Sequence, residues 1–262
     1  MPNKGKYYES QFEEATIQLL EEVKWTYTFG DDVHRKYTDP LIEDDLRTFL
    51  NAQYKDKQLT TAEMDTVVAN LRNVGGQNDY YAAENAFLLY RDGYDFIYSD
   101  GRRTPFRMEY IDFEHPDHNI FRCVNQFVME QGKENRRPDI MLFVNGIPVC
   151  IIELKNPTKI NATVRDAHIQ ICTRYMRDIP ALLKYSALAV ISDGAKNKLG
   201  TPFTPFEFFY EWKKVENEDK AGKGLDTLRT MIRGALSPSR LLEILRDYVY
   251  FRTHRKKMTR RR

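Results

Sequence analysis

Three charged residues, Asp139, Glu153 and Lys155, lie in or beside the two most apolar short runs of this 262-residue sequence. Carboxylates and lysines are rarely buried unless they are paired or bind a metal, so their position asks for a chemical reason. Two carboxylates offer the hard oxygen ligands that Mg²⁺ prefers, and an ammonium beside them can approach an attacking water or a phosphate. These residue types suit the hydrolysis of a phosphodiester bond.

The apolar runs themselves predict a β-hairpin. Residues 140–144 and 147–152 are joined by Asn145-Gly146, and both turn residues tolerate the positive φ of a tight hairpin. Runs that are apolar on both faces are typical of central strands. Strand alternation then places Glu153 and Lys155 on one face and points Leu154 into the core, with the Leu154 carbonyl as a candidate further metal ligand.

One detail of this hairpin restricts the model. With a plain two-residue turn at Asn145-Gly146, Asp139 would pair with Ile152 and would face away from Glu153. A shared metal therefore requires one residue of slippage. A three-residue loop with a glycine bulge, a bulge beside Pro148, or an early bend that aims Asp139 would supply it.

The rest of the sequence predicts the elements that hold these residues. Helical patterns cover residues 9–24, 41–54, 60–72, 79–91, 162–177, 225–235 and 239–251. Strand patterns cover residues 94–98, 106–113, 120–129 and 186–191, and residues 203–212 are irregular. Thr60-x-x-Glu63 has the spacing of a capping box, and Ser237-Pro238 is a helix start signal. The order predicts an α/β fold: a mixed central sheet flanked by helices, with an N-terminal helical cap and C-terminal helices.

Length and composition frame this prediction. We expect one domain over residues 1–262, with a helical and strand portion (1–105), a core (106–194), and C-terminal helices with a basic tail (195–262). No apolar stretch approaches the roughly 20 residues that span a membrane, and no signal peptide is visible. A cytoplasmic protein with no membrane partner is expected. Its three cysteines are expected to be reduced and buried: Cys123, Cys150 and Cys172.

The formal net charge of +2 hides an uneven distribution. Seven of the 40 Lys and Arg residues lie between residues 252 and 262, so the rest of the chain has 33 basic against 38 acidic residues. The body is therefore not a general polyanion binder, and the tail indicates a solvated end more often than a DNA contact. Gly101-Arg102-Arg103 and Arg136-Arg137 are better candidates for phosphate contacts, and the second abuts Asp139.

Two weaker polar patterns accompany the central one. Gln170 and Arg174 are four residues apart on a predicted helix, so they share a face that can point toward the carboxylates and contact phosphate. An exposed polar face would show the same pattern. His115-x-x-His118 has the spacing of metal ligands, but no cysteine is nearby, which makes a structural metal protein the weakest interpretation.

Together these residues make the sequence similar to a known family of enzyme domains. It resembles the N-terminal endonuclease domain of the R (restriction and motor) subunit of type I restriction-modification enzymes, and its Pro-Asp and Glu-x-Lys elements have the form of the PD-(D/E)xK nuclease superfamily. The matching segments span roughly residues 106–194: Tyr110-Ile-Asp-Phe-Glu114, residues 119–127, Arg137-Pro-Asp-Ile140, Val144-Asn-Gly-Ile-Pro148, Ile152-Glu-Leu-Lys-Asn-Pro157, Ala167-x-x-Gln170, Ile179-Pro180 and Val190-Ile-Ser-Asp-Gly194.

The resemblance implies Mg²⁺-dependent cleavage of duplex DNA without sequence preference. It makes Asp139 and Glu153 metal ligands and Lys155 the catalytic lysine. Gln170 matches the glutamine of a Gln-x3-Tyr motif that helps to position DNA, but Arg174 occupies the tyrosine position and Tyr175 follows it. The candidate DNA-binding residues are therefore Gln170, Arg174, Tyr175 and Arg137.

The resemblance carries further expectations. Some related nucleases use a glutamate of the first helix, and Glu9 or Glu13 could do so here, although a solvated surface position is expected. R subunits also carry an ATP-driven motor and dock on methyltransferase and specificity subunits. The sequence has no G-x-x-x-x-G-K-[ST] phosphate loop, so ATP would serve only a motor outside this chain. The alternative function is a noncatalytic DNA-binding or subunit-docking module, and the intact Asp139, Glu153 and Lys155 favour catalysis.

Overall fold

The computed structural model describes residues 4–155, 163–215 and 225–252, with side chains from Ser10 onward. Its α-helices within those ranges are α1 (Lys4–Glu22), α2 (Glu43–Gln53), α3 (Thr61–Arg72), α4 (Asp79–Asp92), α5 (Val164–Ile169), α6 (Met176–Asp178), α7 (Pro180–Leu183), α8 (Leu225–Met231) and α9 (Pro238–Asp247). The predicted capping box is present at the start of α3, since the Thr60 hydroxyl accepts from the Glu63 N–H and the Glu63 carboxylate accepts from the Thr60 N–H.

The strands divide into one central sheet and two separate hairpins. They are β1 (Thr26–Phe29), β2 (Tyr94–Phe96), β3 (Phe106–Met108), β4 (Phe121–Asn125), β5 (Met129–Gln131), β6 (Glu134–Arg136), β7 (Ile140–Val144), β8 (Ile147–Leu154), β9 (Leu188–Ser192) and β10 (Asn197–Gly200). The six-stranded sheet has the order β1-β4-β7-β8-β9-β10, with parallel pairing only of β1 with β4 and of β8 with β9. The prediction of an α/β fold with a mixed central sheet is confirmed.

The sequence patterns were less accurate outside the central strands. β1 was not predicted, and the strands predicted at 94–98 and 106–113 pair with each other in β2 and β3 instead of joining the central sheet. The end of the pattern at 120–129 belongs to β5, which pairs with β6. Short β-patterns indicate an extended backbone, but not the partner with which that backbone pairs.

Helices cover both faces of the sheet, which explains why its central strands are apolar on both sides. Alternate residues of β7 enter different cores: Leu142 packs with the N-terminal and C-terminal helices, whereas Met141 and Phe143 pack against α5 and α7. All five residues of β7 are buried. Truncation of Leu142 to alanine would remove contacts in the first core and cost about 2–5 kcal/mol.

The three cysteines are free thiols that differ in burial. Cys123 and Cys150 are buried free thiols, while Cys172 is only half-buried, so the prediction of burial was wrong for Cys172. Burial raises the pKa of the Cys172 thiol to about 12. Among the described helices, none has the length and apolar character needed to cross a bilayer.

Candidate active site

The hairpin turn has the two-residue form, and a bulge then restores the alignment that a shared metal requires. Asn145 and Gly146 both have positive φ, 50° and 75°, and a Cβ at Gly146 would lie 2.1 Å from the Ile42 carbonyl oxygen. Phe143 pairs with Pro148, but the next pair is Leu142 with Cys150. The extra residue lies directly beside Pro148, so that predicted bulge is confirmed.

The bulge shifts the register by one residue for the rest of the hairpin. Ile140 pairs with Ile152, so the next position in the register sets Asp139 opposite Glu153. Both side chains therefore belong to the face that packs against α5 and α7, the face of Met141 and Ile151. Leu154 packs in the opposite core, as predicted from the alternation of β8.

These residues meet at one edge of the sheet. β4 and β8 end there, β7 begins there, and the parallel neighbour β9 ends there as well. Backbone hydrogen bonds hold the edge in place, because the Gln126 N–H donates to the Asp139 carbonyl at 3.0 Å and the Lys155 N–H to the Ser192 carbonyl at 2.7 Å. The Asp139 carboxylate accepts from the Leu154 N–H at 2.7 Å.

Glu153 lies at the centre of a side-chain network. Its carboxylate is 1% exposed and accepts from Lys155 Nζ at 2.8 Å and from the Tyr175 hydroxyl at 3.2 Å. Lys155 Nζ also donates to Gln170 Oε1 at 2.7 Å, and Gln170 Nε2 donates to the Tyr175 hydroxyl at 2.6 Å. The four side chains form a closed ring of hydrogen bonds.

A π-helical turn makes this ring possible. Gln170–Tyr175 form a π turn between α5 and α6, and the wider turn brings Tyr175, five residues after Gln170, within hydrogen-bond distance of it. Tyr175 is 2% exposed and faces Glu153. Tyr175 completes the ring with Gln170 and Lys155, and the place of Arg174 on the same face, which assumed α-helical spacing, stays a prediction. Arg174 is exposed and makes no hydrogen bond or ion pair with a described residue.

The two carboxyl groups are held in surroundings that disfavour their negative charge. Burial, and then the neighbouring Glu153 carboxylate, raise the pKa of Asp139 well above its ordinary value. Burial likewise raises the pKa of Glu153, and the Lys155 ammonium opposes that shift. Two carboxylates that share one site and lack sufficient donors bind a cation favourably, because a cation offsets the cost of both charges.

Glu13 of α1 also belongs to this edge, which corrects the expectation that it is a solvated surface residue. Its carboxylate is only 9% exposed and accepts from Asn125 Nδ2 at 2.7 Å and from Gln126 Nε2 at 2.7 and 2.9 Å. It lines a cavity of about 670 Å³ together with Asp139 and Arg137. The Glu9 side chain lies outside the described residues. Asn125, at the end of β4, and Gln126, which follows it, were not predicted as site residues, because neither side chain is charged.

The basic segments proposed for phosphate contact are partly engaged within the chain. Arg103 pairs with Glu63 at 2.9 Å, and Arg136 pairs with Asp178 at 2.7 Å, so neither is a free phosphate ligand. Arg137 is exposed and lines the cavity beside Asp139. Arg137 remains the better placed candidate for a DNA contact.

The donor set fits a hard divalent cation such as Mg²⁺. Asp139 accepts a single hydrogen bond from the described residues, so oxygen lone pairs of its carboxylate remain for a metal. Glu153 is paired with Lys155, whose ammonium supplies the positive charge at the site. The role of the Leu154 carbonyl as a ligand stays a prediction. The Leu154 side chain packs in the opposite core, and its N–H donates to the Asp139 carboxylate.

The fold and the site together define a class. A mixed six-stranded sheet flanked by helices, with Asp139 opposite Glu153 and with Lys155 two residues further on, is the arrangement of a PD-(D/E)xK restriction-endonuclease-like core. Residues 6–208 match the family described as Type I restriction enzyme R protein N terminus. The chain belongs to this family.

Individual relatives agree with that family. The chain is 30% identical over 255 residues to the Type I restriction enzyme HindI endonuclease subunit of Haemophilus influenzae. That alignment covers 93% of this chain and 24% of the Haemophilus protein. It is 31% identical over 133 residues to the Type I restriction enzyme EcoprrI endonuclease subunit of Escherichia coli, over 47% of this chain and 40% of that protein. This chain spans about a quarter of the length of the Haemophilus relative.

Proposed function

We propose that this chain is the nuclease domain of a type I restriction enzyme R subunit and cleaves duplex DNA without sequence preference, with Mg²⁺ as cofactor. The observation that carries the proposal is the bulge beside Pro148, which brings Asp139 and Glu153 to one face. A hairpin selected only for stability has no need to gather two carboxylates of raised pKa and a lysine. The family membership of the chain supports the same function.

In this proposal Asp139, Glu153 and the Leu154 carbonyl hold Mg²⁺, which would activate water and neutralise charge on the phosphate when bound. Lys155 orients the attacking water or the scissile phosphate. Its ammonium donates to Gln170 as well as to Glu153, so two partners fix its position.

Two further groups have supporting roles in the proposal. Gln170 and Tyr175 position Glu153 and Lys155, and Tyr175 takes the role that the spacing of the family motif would give to Arg174. Arg137, at the mouth of the cavity, contacts the DNA backbone, and Arg174 contacts it further from the metal. Glu13 and its amide partners line the same cavity as Asp139 and can hold metal-bound water.

The proposal places the chain in a larger assembly. DNA recognition and ATP-driven translocation belong to parts outside this chain, namely methyltransferase and specificity subunits and a motor domain. The substrate is DNA, so a cytoplasmic location is part of the proposal. A noncatalytic docking module with a nuclease fold is the competing function, and the next experiment separates the two.

The test combines metal binding with cleavage. Asp139→Ala and Lys155→Ala are compared with Lys196→Ala, a control at an exposed lysine beyond the end of β9. We expect Asp139→Ala to abolish Mn²⁺ binding by the chain, measured by calorimetry. Both site variants should abolish DNA cleavage by the assembled restriction complex. Removing one residue of a coupled catalytic site costs nearly as much activity as removing all of its residues. Lys196→Ala should retain both activities. Cleavage by either site variant at the parent rate would favour the docking module.

A further inference from the structure

A second cluster of potential ligands lies at the opposite end of the sheet from Asp139. Residues 112–118 lie in the segment that connects β3 to β4. This segment runs beside the hairpin turn, where Asn119 Oδ1 accepts from Asn145 Nδ2 at 2.8 Å. The cluster contains Asp112, His115 and His118, whose potential ligand atoms all lie within 4.8 Å of one another. The sequence signal was the pair of histidines, and the third member was not visible in that motif.

Asp112 is a rigid anchor for the cluster. It is 5% exposed, and its Oδ1 accepts from the backbone N–H groups of Glu114 at 3.0 Å and His115 at 2.8 Å. Its own N–H donates to Asn119 Oδ1 at 2.9 Å, and the Asn119 amide donates back to the Asp112 carbonyl at 2.7 Å. These bonds hold Oδ2 toward the imidazoles, where Gln53 Nε2 also donates to it at 3.2 Å.

Both imidazoles direct the same nitrogen toward Asp112. Nδ1 of His118 is 2.9 Å from Asp112 Oδ2, and Nδ1 of His115 is 3.3 Å from it. The rings are stacked with centroids 4.8 Å apart, and both side chains are more than half exposed. A carboxylate oxygen accepts, so in both contacts the Nδ1 N–H is the donor and Asp112 Oδ2 the acceptor.

We propose that Asp112 Oδ2 and the Nδ1 atoms of His115 and His118 form a binding site for a divalent transition ion, with Zn²⁺ as the physiological candidate. Ligand atoms at 2.0–2.2 Å from zinc in a tetrahedral site are about 3.3 Å from each other. The two Nδ1–Oδ2 separations are 3.3 and 2.9 Å, and all three ligand atoms lie within 4.8 Å of one another, so a small movement of the imidazoles brings them to that spacing. Two imidazoles and one carboxylate select zinc-like ions over Mg²⁺, which prefers oxygen ligands alone.

Binding requires only small changes in the cluster. Each Nδ1 must give up its proton to solvent for the ion to bind there, and the coordinating imidazole keeps its proton on Nε2, which is accessible because the side chains are exposed. The ring planes differ by 22°, so the imidazoles rotate until the ion lies in the plane of each ring. The exposed side leaves room for water to complete the coordination. The bound ion would tie the loop of residues 112–118 together next to α2, which contributes Gln53.

The experiment measures Zn²⁺ stoichiometry and affinity by calorimetry on the untagged chain. The Asp139→Ala background removes binding at the nuclease site, and His115→Asn, His118→Asn or the control His34→Asn is added to it. His34 is an exposed histidine that contacts the backbone of Asp32. Asparagine preserves a donor for Asp112, and circular dichroism without metal checks that each variant is folded.

The expected result is one Zn²⁺ per chain in the Asp139→Ala background and in its His34→Asn derivative. Each of the other two histidine changes should weaken binding by at least about tenfold, since loss of a ligand exceeds the tenfold to hundredfold effect of losing an outer-shell partner. Histidine ¹⁵N shifts should identify Nδ1 as the coordinating atom. Equal zinc binding by the His34, His115 and His118 variants, or coordination through Nε2, would overturn the site.

Discussion

Two glutamates of this chain are almost equally buried, yet their surroundings are opposite. Glu63, at the start of α3, is 3% exposed, and Glu153, at the end of β8, is 1% exposed. Glu63 accepts hydrogen bonds from the N–H and hydroxyl of both Thr60 and Ser99, and from Arg103. These donors, first among them the Thr60 N–H, lower the pKa of Glu63 to about 2. These hydrogen bonds stabilise the charged form of Glu63.

Glu153 and its neighbour Asp139 are not compensated in this way. Glu153 accepts from Lys155 and Tyr175 and shares a side-chain hydrogen bond with Asp139, and Asp139 accepts from the Leu154 N–H. The pKa of each is raised, mainly because of burial. The comparison shows that burial alone does not identify a functional carboxylate. A shortage of donors around a buried carboxylate marks a candidate site, because a ligand can then supply the missing positive charge.

The largest expected effect comes from removing the charge of Glu153, and the matched change at Glu63 is its control. Glu153→Gln should reduce DNA cleavage by the assembled complex by about three orders of magnitude or more, as expected for a member of a coupled catalytic unit. Glu63→Gln, the matched change at the compensated glutamate, should leave the rate per folded molecule unchanged. Rates are measured after the folded fraction is determined by circular dichroism. Similar losses in both variants would remove the distinction between the two glutamates.

The next effect concerns the tyrosine that contacts Glu153. Tyr175→Phe should lower cleavage about tenfold, because the hydroxyl links Gln170 to the Glu153 carboxylate. The control is Tyr185→Phe, a tyrosine that is 1% exposed and donates to the Leu71 carbonyl away from the site. Both changes remove one buried hydroxyl, so both should lower thermal stability. Only the first should change the cleavage rate, and an equal rate loss in Tyr185→Phe would indicate a general effect of packing.

The stability effects of the two regions should have opposite signs. The pKa of Asp139 is raised in the folded chain, so its contribution to stability is present below its ordinary pKa and is lost as the pH rises through the folded value. Asp139→Asn should therefore raise the melting temperature of the metal-free chain at pH 8 by about 2 °C or more, and Mg²⁺ should stabilise only the parent. A lower melting temperature for Asp139→Asn in metal-free buffer would contradict the raised pKa.

Glu63 gives the reverse case within the same experiment. Its pKa is lowered to about 2, so its contribution is present above the ordinary carboxyl pKa and is lost as the pH falls toward that value. Glu63→Gln should lower the melting temperature at pH 7, and the difference from the parent should shrink toward pH 2–3. Melting curves of both variants over this range test the two signs together.

The smallest effect is expected at the π turn. Deletion of Arg174 converts Gln170-x4-Tyr175 into Gln-x3-Tyr, and an α-helical turn would then bring the same two side chains to one face. Cleavage by the Arg174 deletion variant should change by less than about tenfold. The substitution Arg174→Ala should slightly lower DNA affinity and the salt dependence of that affinity, because one phosphate contact is lost. The control is deletion of Arg165 on α5. This deletion removes one residue from the helix before Gln170 and so rotates Gln170 away from Lys155. Equal activity of the two deletions would show that the ring of hydrogen bonds is dispensable.

The sequence determined a large part of this protein. The apolar runs around Asn145-Gly146 defined the central hairpin, and the polar types beside them identified Asp139, Glu153 and Lys155 as the charged group at its end. Parity required one residue of slippage and named a bulge beside Pro148 as a source. These inferences succeeded because strand alternation and turn preference are local properties of the chain.

Only the tertiary structure decided the rest. The partner of each short strand, the inward position of Glu13, and the third member of the histidine cluster depend on contacts between residues far apart in sequence. The π turn was also outside local rules, because α-helical and π-helical spacing differ by one residue and the sequence favours neither. Packing of Tyr175 against Glu153 accompanies the second spacing. A local pattern can supply the residues of a site, but long-range packing determines which of them meet.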